Sequence, residues 1–413
     1  MRRTLISNCR ILDGTGAAPF AGAVLIEGAR IKDVSPAPLQ MEGVTEIDAA
    51  GATLMPGLIE SHSHLTFLDR PNSVEMGFVP PEEHMLLTAR NARTVLDAGF
   101  TSCMSAASAK PRLDVVLRDA IRTGALPGPR TLAATPEMTV SAGLGDVRLL
   151  HMFRQNFAVI LDGADEFRRY SRTMVREGVD TLKINISGDA GTLASPSNAT
   201  VMSEAEVAAV CEVAHAHGLR VAAHARNSES VRLCVKHGVS IIYHANLIDD
   251  KTCDLLEAHR EQIFVAPTLG HTHATLYEAA EWGITTAMAE RRGLGDEYRR
   301  GIDNMKALHR RGVRVLPGGD YGFAWNRNGR NARDIAHFVN LLDFSPMDAI
   351  LAATKFGGEI MMMSDELGQI LPGYIADLLL VNGDPLADVS ILQDATRLTA
   401  IMKEGEFIKA PSS

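Results

Sequence analysis

The chain has 413 residues, with 41 Lys or Arg against 50 Asp or Glu and a formal net charge of −9. That balance excludes the basic face which a nucleic-acid or anionic-membrane partner requires. A chain of this length buries roughly three quarters of its unfolded surface and needs no disulfide merely to fold. The five cysteines (Cys9, Cys103, Cys211, Cys234 and Cys253) are scattered and never form a C-x-x-C pair. This excludes a thiolate zinc finger and argues against a disulfide framework. Arg2 and Arg3 are basic, but Asn8, Arg10 and Asp13 interrupt any apolar run that could serve as a signal peptide. No run of about 18 apolar residues could span a membrane. A soluble, reduced, cytoplasmic protein is expected.

In chain order, the first fifty residues read as short strands, Thr4–Ile11 and Ala23–Ile26, with turns at Asp13-Gly14-Thr15-Gly16 and Glu27-Gly28. After Gly51 short β-rich runs alternate with helical stretches. The runs are Thr53–Ser61, Thr101–Ala106, Thr131–Ala134, Asp180–Ile186, Arg220–Ala223, Ser240–Tyr243, Gln262–Pro267 and Arg314–Leu316. Among the helices, one opens on a capping signal at Ser203 to Glu206 and stops at His217-Gly218. Ser228–His237 before Gly238 and Tyr298–Arg311 before Gly312 repeat the glycine stop. Strands alternating with helices over about 270 residues fit an α/β fold, either a parallel (β/α)8 barrel of TIM type or a doubly wound sheet. A barrel would place its chemistry at the C-terminal ends of its strands. Gly368–Val381 and Leu398–Lys409 revert to short strands, so both chain ends are expected to form one small composite β-sandwich domain. The expected division is 1–53 plus 368–413 for that domain and 54–367 for the barrel.

Histidine carries the chemical signal. His62 and His64 stand two apart at the end of an apolar run, so on a strand they share a face and can chelate one ion. His224 and His244 each end an apolar run, Asp320 closes Arg314-Val315-Leu316-Pro317-Gly318-Gly319-Asp320, and Lys183 sits inside an apolar strand. Taken singly, each histidine also reads as a hydrogen-bonded core residue, and Lys183 as a snorkelling or ion-paired lysine. Ligand-type groups on five strand ends in this order are harder to explain that way.

The set resembles the metal-dependent amidohydrolase superfamily, in its imidazolonepropionase-like and prolidase-like branch. The likeness runs from Asp48-Ala49-Ala50-Gly51 and Pro56–His64 through Lys183, His224, His244, Gly318-Gly319-Asp320 and Ala352-Ala353-Thr354. It ends in Leu371-Pro372-Gly373-Tyr374-Ile375-Ala376-Asp377-Leu378 and Gly383-Asp384-Pro385-Leu386. The resemblance implies a two-metal site, with His62, His64 and Asp320 on the first ion and His224 and His244 on the second. Lys183, carbamylated by carbon dioxide, would bridge them. It further implies a shared hydroxide that attacks a carbonyl, with Asp320 taking the proton and returning it to the leaving nitrogen. The N/O ligand set suits zinc and is compatible with manganese, cobalt or iron. The implied activity is hydrolysis of a C–N bond in a small amide, such as an N-acyl or aminoacyl compound with or without an aromatic group. The alternatives are a cyclic amide, carbamate or urea-type substrate, a deaminase reaction, or a non-catalytic scaffold. The branch also implies a homo-oligomer.

The substrate side departs from the pattern. Leu144 stands where prolidase-like members carry a histidine, Arg226 where they carry a tyrosine, and Tyr243-His244-Ala245 replaces Glu-His-Gly. Arg226 reads either as a bidentate clamp for a substrate carboxylate or as a surface arginine. His271 and His273 follow the seventh strand, where a substrate hydrogen bond or a solvated loop fits better than a third metal. Tyr321 and Trp325, directly after Asp320, read as a substrate wall or as loop packing. With Tyr243 these complete the candidate substrate residues.

Overall fold

The computed structural model describes residues 2–39, 41–192 and 194–411. The chain divides into two compact units. Met1–Ser61, Arg93–Cys103 and Gly329–Ser413 form one, and His62–Ala92 with Met104–Asn328 forms the other.

The first unit contains an eight-stranded sheet built from both ends of the chain. Its strand order is Glu406–Lys409, Leu398–Lys403, Leu378–Val381, Thr53–Pro56, Arg3–Ile11, Phe20–Glu27 and Arg30–Ser35, with Thr45–Asp48 beside Arg3–Ile11. The seam between the two ends is antiparallel, pairing Leu378 with Pro56 and Leu380 with Leu54. Ile6, Ile11, Val24, Ile26, Leu54, Leu378, Leu380 and Met402 gather into one buried cluster on this sheet. Each such aliphatic side chain contributes about 1.5–3 kcal/mol by leaving water.

The second unit carries a seven-stranded sheet in the order Val159–Ile160, Met138–Thr139, Thr181–Asn185, Arg220–Asn227, Ile241–Leu247, Phe264–Ala266 and Arg314–Val315. Every pairing in it is parallel. Its central strands are buried along nearly their whole length, so the residues that flank Lys183, His224 and His244 on them are largely apolar. The crossover helices are capped as their sequences demand. Ser203 and Glu206 form a reciprocal capping box, Asn227 caps Ser228–His237, and Asp249 caps Asp250–Ala258. Gly238 closes the second helix in the left-handed conformation, at φ 75°. With the strands Leu58–Ser63, Phe100–Ser105 and Arg130–Leu132, the chain has the mixed α/β content expected. Among the described residues no helix is long and apolar enough to cross a membrane.

Some boundaries differ from the sequence reading. The strands Arg220–Asn227 and Ile241–Leu247 run past His224 and His244, so these histidines stand inside strands and not at their ends. Met138–Thr139 and Val159–Ile160 were not foreseen, because a two-residue strand has no alternation to read.

Candidate active site

All the site residues lie in the second unit. His62 ends up on the strand Leu58–Ser63 and His64 immediately beyond it. Their Nε2 atoms face each other at 3.2 Å, and Asp320 Oδ1 lies 3.2 Å from His64 Nε2 and 3.6 Å from His62 Nε2. Metal–nitrogen bonds of about 2.0–2.1 Å in a tetrahedral site place neighbouring ligand atoms roughly 3.3–3.4 Å apart. The spacing therefore matches one face of such a site, and this triad could hold a metal ion. His64 Nδ1–H donates to the Ala107 carbonyl at 3.2 Å, which leaves the Nε2 lone pair pointing at the cluster. Burial pushes His62 well below the usual imidazole range. Burial would raise the Asp320 carboxyl, but the neighbouring His62 and the hydrogen bond with His64 hold it well below the usual carboxylate range. The three groups offer two imidazole nitrogens and a carboxylate oxygen, the donor types a divalent ion takes.

Lys183, His224 and His244 come from three neighbouring parallel strands, whose register sets Lys183 against Ala222, Asn185 against His224 and Ala225 against His244. Lys183 is buried, and its ammonium lies 5.0 Å from the centre of the Tyr243 ring. No carboxylate is within ion-pair distance of it among the described residues, and burial lowers its pKa. His224 Nε2–H donates to the Gly188 carbonyl at 3.0 Å, which frees Nδ1. Thr268 Oγ1 lies 2.7 Å from His244 Nδ1, which frees Nε2. The two rings are 4.2 Å apart. Burial pushes His224 down to about 3 and His244 well below the usual range, so both present neutral imidazoles. His244, Ala245, Thr268 and Asp320 all have positive φ. Backbone strain of this kind in residues other than glycine is concentrated where the surrounding fold must hold a side chain in place.

These groups open into a cavity of about 460 Å3, within the range of small-molecule sites. His271 and Trp325 line it, as does Leu144. The His271 ring packs 4.5 Å from Phe323, and Trp325 Nε1 donates to Thr275 Oγ1 at 2.9 Å. Both histidines after the seventh strand lie on a helix, Leu269–Tyr277, and not in a loop. His273 turns to Tyr298, with Nδ1 2.9 Å from its hydroxyl, and is not among the lining residues. Tyr243 is fully buried with its ring 3.9 Å from that of His62, and Tyr321 is fully buried as well. These two pack behind the site and do not wall the cavity.

Arg226 is neither a surface residue nor a vacant clamp. It is buried, its Nη2 donates to Asp189 Oδ2 at 2.6 Å, and its Nη1 pairs with Glu297. Glu297 also accepts from Ser197 Oγ at 2.7 Å. The loop bearing Asp189 is fixed at Gly188, where a Cβ would lie 1.9 Å from the Ser195 carbonyl, so only glycine fits. Sequence reasoning missed Glu137, Asp189, Phe67, Phe157 and Arg292, all on the cavity wall. Of these Glu137 and Asp189, each shortly after an expected strand, had a positional signal.

Parallel α/β architecture with a histidine–carboxylate cluster that could hold a metal ion, beside a cavity, makes this a candidate metal-dependent hydrolase site. Residues 53–408 match the amidohydrolase family, and the chain belongs to that family. It is a hydrolase acting on C–N bonds. It is similar to the ochratoxinase of Aspergillus niger, at 24% identity over 377 residues, covering 87% of this chain and 76% of that one. It is also similar to the imidazolonepropionase of Cereibacter sphaeroides, at 24% identity over 422 residues, covering 98% and 100%. Among solved structures it resembles a prolidase complexed with N-methylphosphonate-L-proline, with a TM-score of 0.88 at 26% identity, covering 99% and 100%.

Proposed function

We propose that the protein hydrolyses the C–N bond of a small N-acyl or aminoacyl amide through two divalent ions, zinc by ligand type. Residues 54–367 are read as a (β/α)8 barrel, with 1–53 and 368–413 as a composite β domain. His62, His64 and Asp320 would hold one ion and His224 and His244 the other, and Lys183 as its carbamate would supply an anionic ligand to the pair. Ions bound there supply Lewis acidity toward the carbonyl and lower the pKa of water. Asp320 accepts the attacking water's proton and returns it to the leaving nitrogen, for which its ionised state suits it. His64 and His244 are oriented by Ala107 and Thr268, and so keep their donor atoms fixed without substrate. The aromatic wall excludes water from the amide and fits an apolar or aromatic body.

One observation carries this reading: Lys183 is a buried ammonium with no carboxylate partner among the described residues, on the strand beside His224. An isolated buried ammonium is costly. Carbamylation turns it into a bidentate anion that a pair of cations neutralises. Metal analysis tests it directly. Close to two ions per chain, dependence of metal loading on bicarbonate, and loss of activity in Lys183→Ala are the expected results. A fully active Lys183→Ala enzyme would overturn the bridge. A cyclic amide is the second reading, favoured by the full-length likeness to imidazolonepropionase. A screen of N-acyl amino acids, dipeptides, aryl amides and cyclic amides separates the two.

A further inference from the structure

Three cationic side chains line the cavity: Lys183, Arg226 and Arg292. Lys183 is buried beside the histidines, and Arg226 has a carboxylate on each terminal nitrogen. Arg292 differs from both. It is the C-cap of the helix Thr286–Arg291, it is exposed, and its side chain has no ion-pair or hydrogen-bond partner among the described residues. The cavity's carboxylates are already engaged. Asp189 pairs with Arg226, Asp320 faces His62 and His64, and Glu137 accepts from Asn185 Nδ2 at 3.1 Å.

An apolar path leads from the histidine cluster to the segment that bears Arg292. The His64 ring stacks on Phe67 at 4.1 Å, Phe67 meets Phe323 at 5.9 Å, and Phe323 stacks on Trp325 at 5.6 Å. Trp325 belongs to a cluster with Ile284, and Ile284, Ala289 and Leu294 line the cavity on the same stretch of chain as Arg292. A ligand that follows this path has an aromatic or apolar body, with the reacting bond at the cluster and its far end near a lone guanidinium.

We infer that Arg292 reads a carboxylate on the substrate, which makes the substrate class an amide with an aromatic or apolar body and an anionic end. The inference rests on the amide reading above, and it moves anion recognition from Arg226 to a residue on another element. A planar fork that carries no partner is suited to bidentate carboxylate binding.

The test uses the ketomethylene isostere of N-benzoylphenylalanine, in which a methylene replaces the amide N–H so that no C–N bond can be cut, and the neutral carboxamide of the same isostere. Both are titrated calorimetrically into the metal-loaded chain. The carboxylate should bind about tenfold or more tightly than the carboxamide. That ratio should fall to about one in Arg292→Ala, be partly kept in Arg292→Lys, and invert in Arg292→Glu. A wild-type ratio near one, or a ratio that Arg292→Ala leaves intact, overturns the inference. Hydrolysis of N-benzoylphenylalanine and its carboxamide is measured in parallel. If the chain cuts no amide but the isosteres still show the Arg292-dependent ratio, the amide reading fails and the anion reader stands.

Discussion

One guanidinium, that of Arg226, joins three segments: Nη2 donates to Asp189 Oδ2 at 2.6 Å while Nη1 meets Glu297. It thereby fastens the strand Arg220–Asn227 to a cavity-lining loop and to the helix Leu294–Arg310. Arg226 and Glu297 are both buried, and both terminal nitrogens of the guanidinium already have a carboxylate of the protein as partner.

Removal of Arg226 should therefore act on stability first. Arg226→Ala leaves two carboxylates facing each other without a counterion, a loss of about 3–5 kcal/mol. Urea unfolding should show it as a lower midpoint, and Arg226→Lys should recover only part, because one ammonium cannot fork to both carboxylates. A selective loss on carboxylated substrates with unchanged stability would contradict the pairing as the residue's role.

Metal removal gives the second prediction. Chelation should abolish hydrolysis and lower the melting temperature, with both restored by added zinc, because an ion held by His62, His64 and Asp320 would bind the folded chain, which brings them together, and not the unfolded one. Asp320→Asn removes the anion and the proton acceptor. The kcat should then fall by about 10²–10⁴. Retention of wild-type kcat in this variant would remove Asp320 from the chemistry.

Thr268 acts at one remove. Its hydroxyl is the partner of His244 Nδ1 at 2.7 Å, and loss of such a partner weakens metal affinity by about 10–100-fold. Thr268→Val keeps the shape and deletes the oxygen. Equilibrium metal titration should show one weakened ion while the other is retained, and Thr268→Ser should restore it. Equal weakening of both ions would show that the hydroxyl does not act through His244 alone.

The cluster of His62, His64 and Asp320, which could hold a metal ion, was legible in the sequence because such side chains close apolar runs. The cavity wall was not legible in the same way. Arg226 finds Glu297 at a separation of 71 residues, and nothing near Arg226 announces a counterion. Tyr243 and Tyr321 sit beside His244 and Asp320 in sequence yet are fully buried and do not line the cavity, since adjacency along the chain does not say which side chains reach it. The strands Arg30–Ser35 and Thr45–Asp48 were also missed, being short and largely polar, with Ile31 their one buried residue.

None of the five cysteines is in a disulfide, and all are buried. Burial pushes the Cys9 thiol up to about 11 and that of Cys211 up to about 12. Since the thiolate is the reactive form, the native protein should titrate with none of its thiols against Ellman's reagent and with all of them in denaturant. Rapid reaction of one thiol under native conditions would point to local opening around it.

Asp249 offers a pH-dependent test away from the cluster. Its Oδ1 accepts from the Thr252 amide at 2.9 Å and its hydroxyl at 2.7 Å, while Arg232 Nη2 reaches Oδ2 at 2.6 Å. Thr252 first, and then the Arg232 guanidinium, pull the carboxyl down to about 2. The unfolded chain, with an ordinary aspartate near pKa 3.9, binds a proton more readily than the native one. The stabilisation is therefore complete above about pH 4 and disappears as pH falls through about 2. Asp249→Ala should lose the cap at neutral pH, about 1 kcal/mol, and flatten the acid limb of stability. Asp249→Asn should keep the cap's hydrogen bond but not the acid dependence. Urea midpoints measured from pH 6 down to the acid limit of reversible unfolding distinguish the three proteins, and an acid limb that Asp249→Asn leaves unchanged would assign it to other carboxylates.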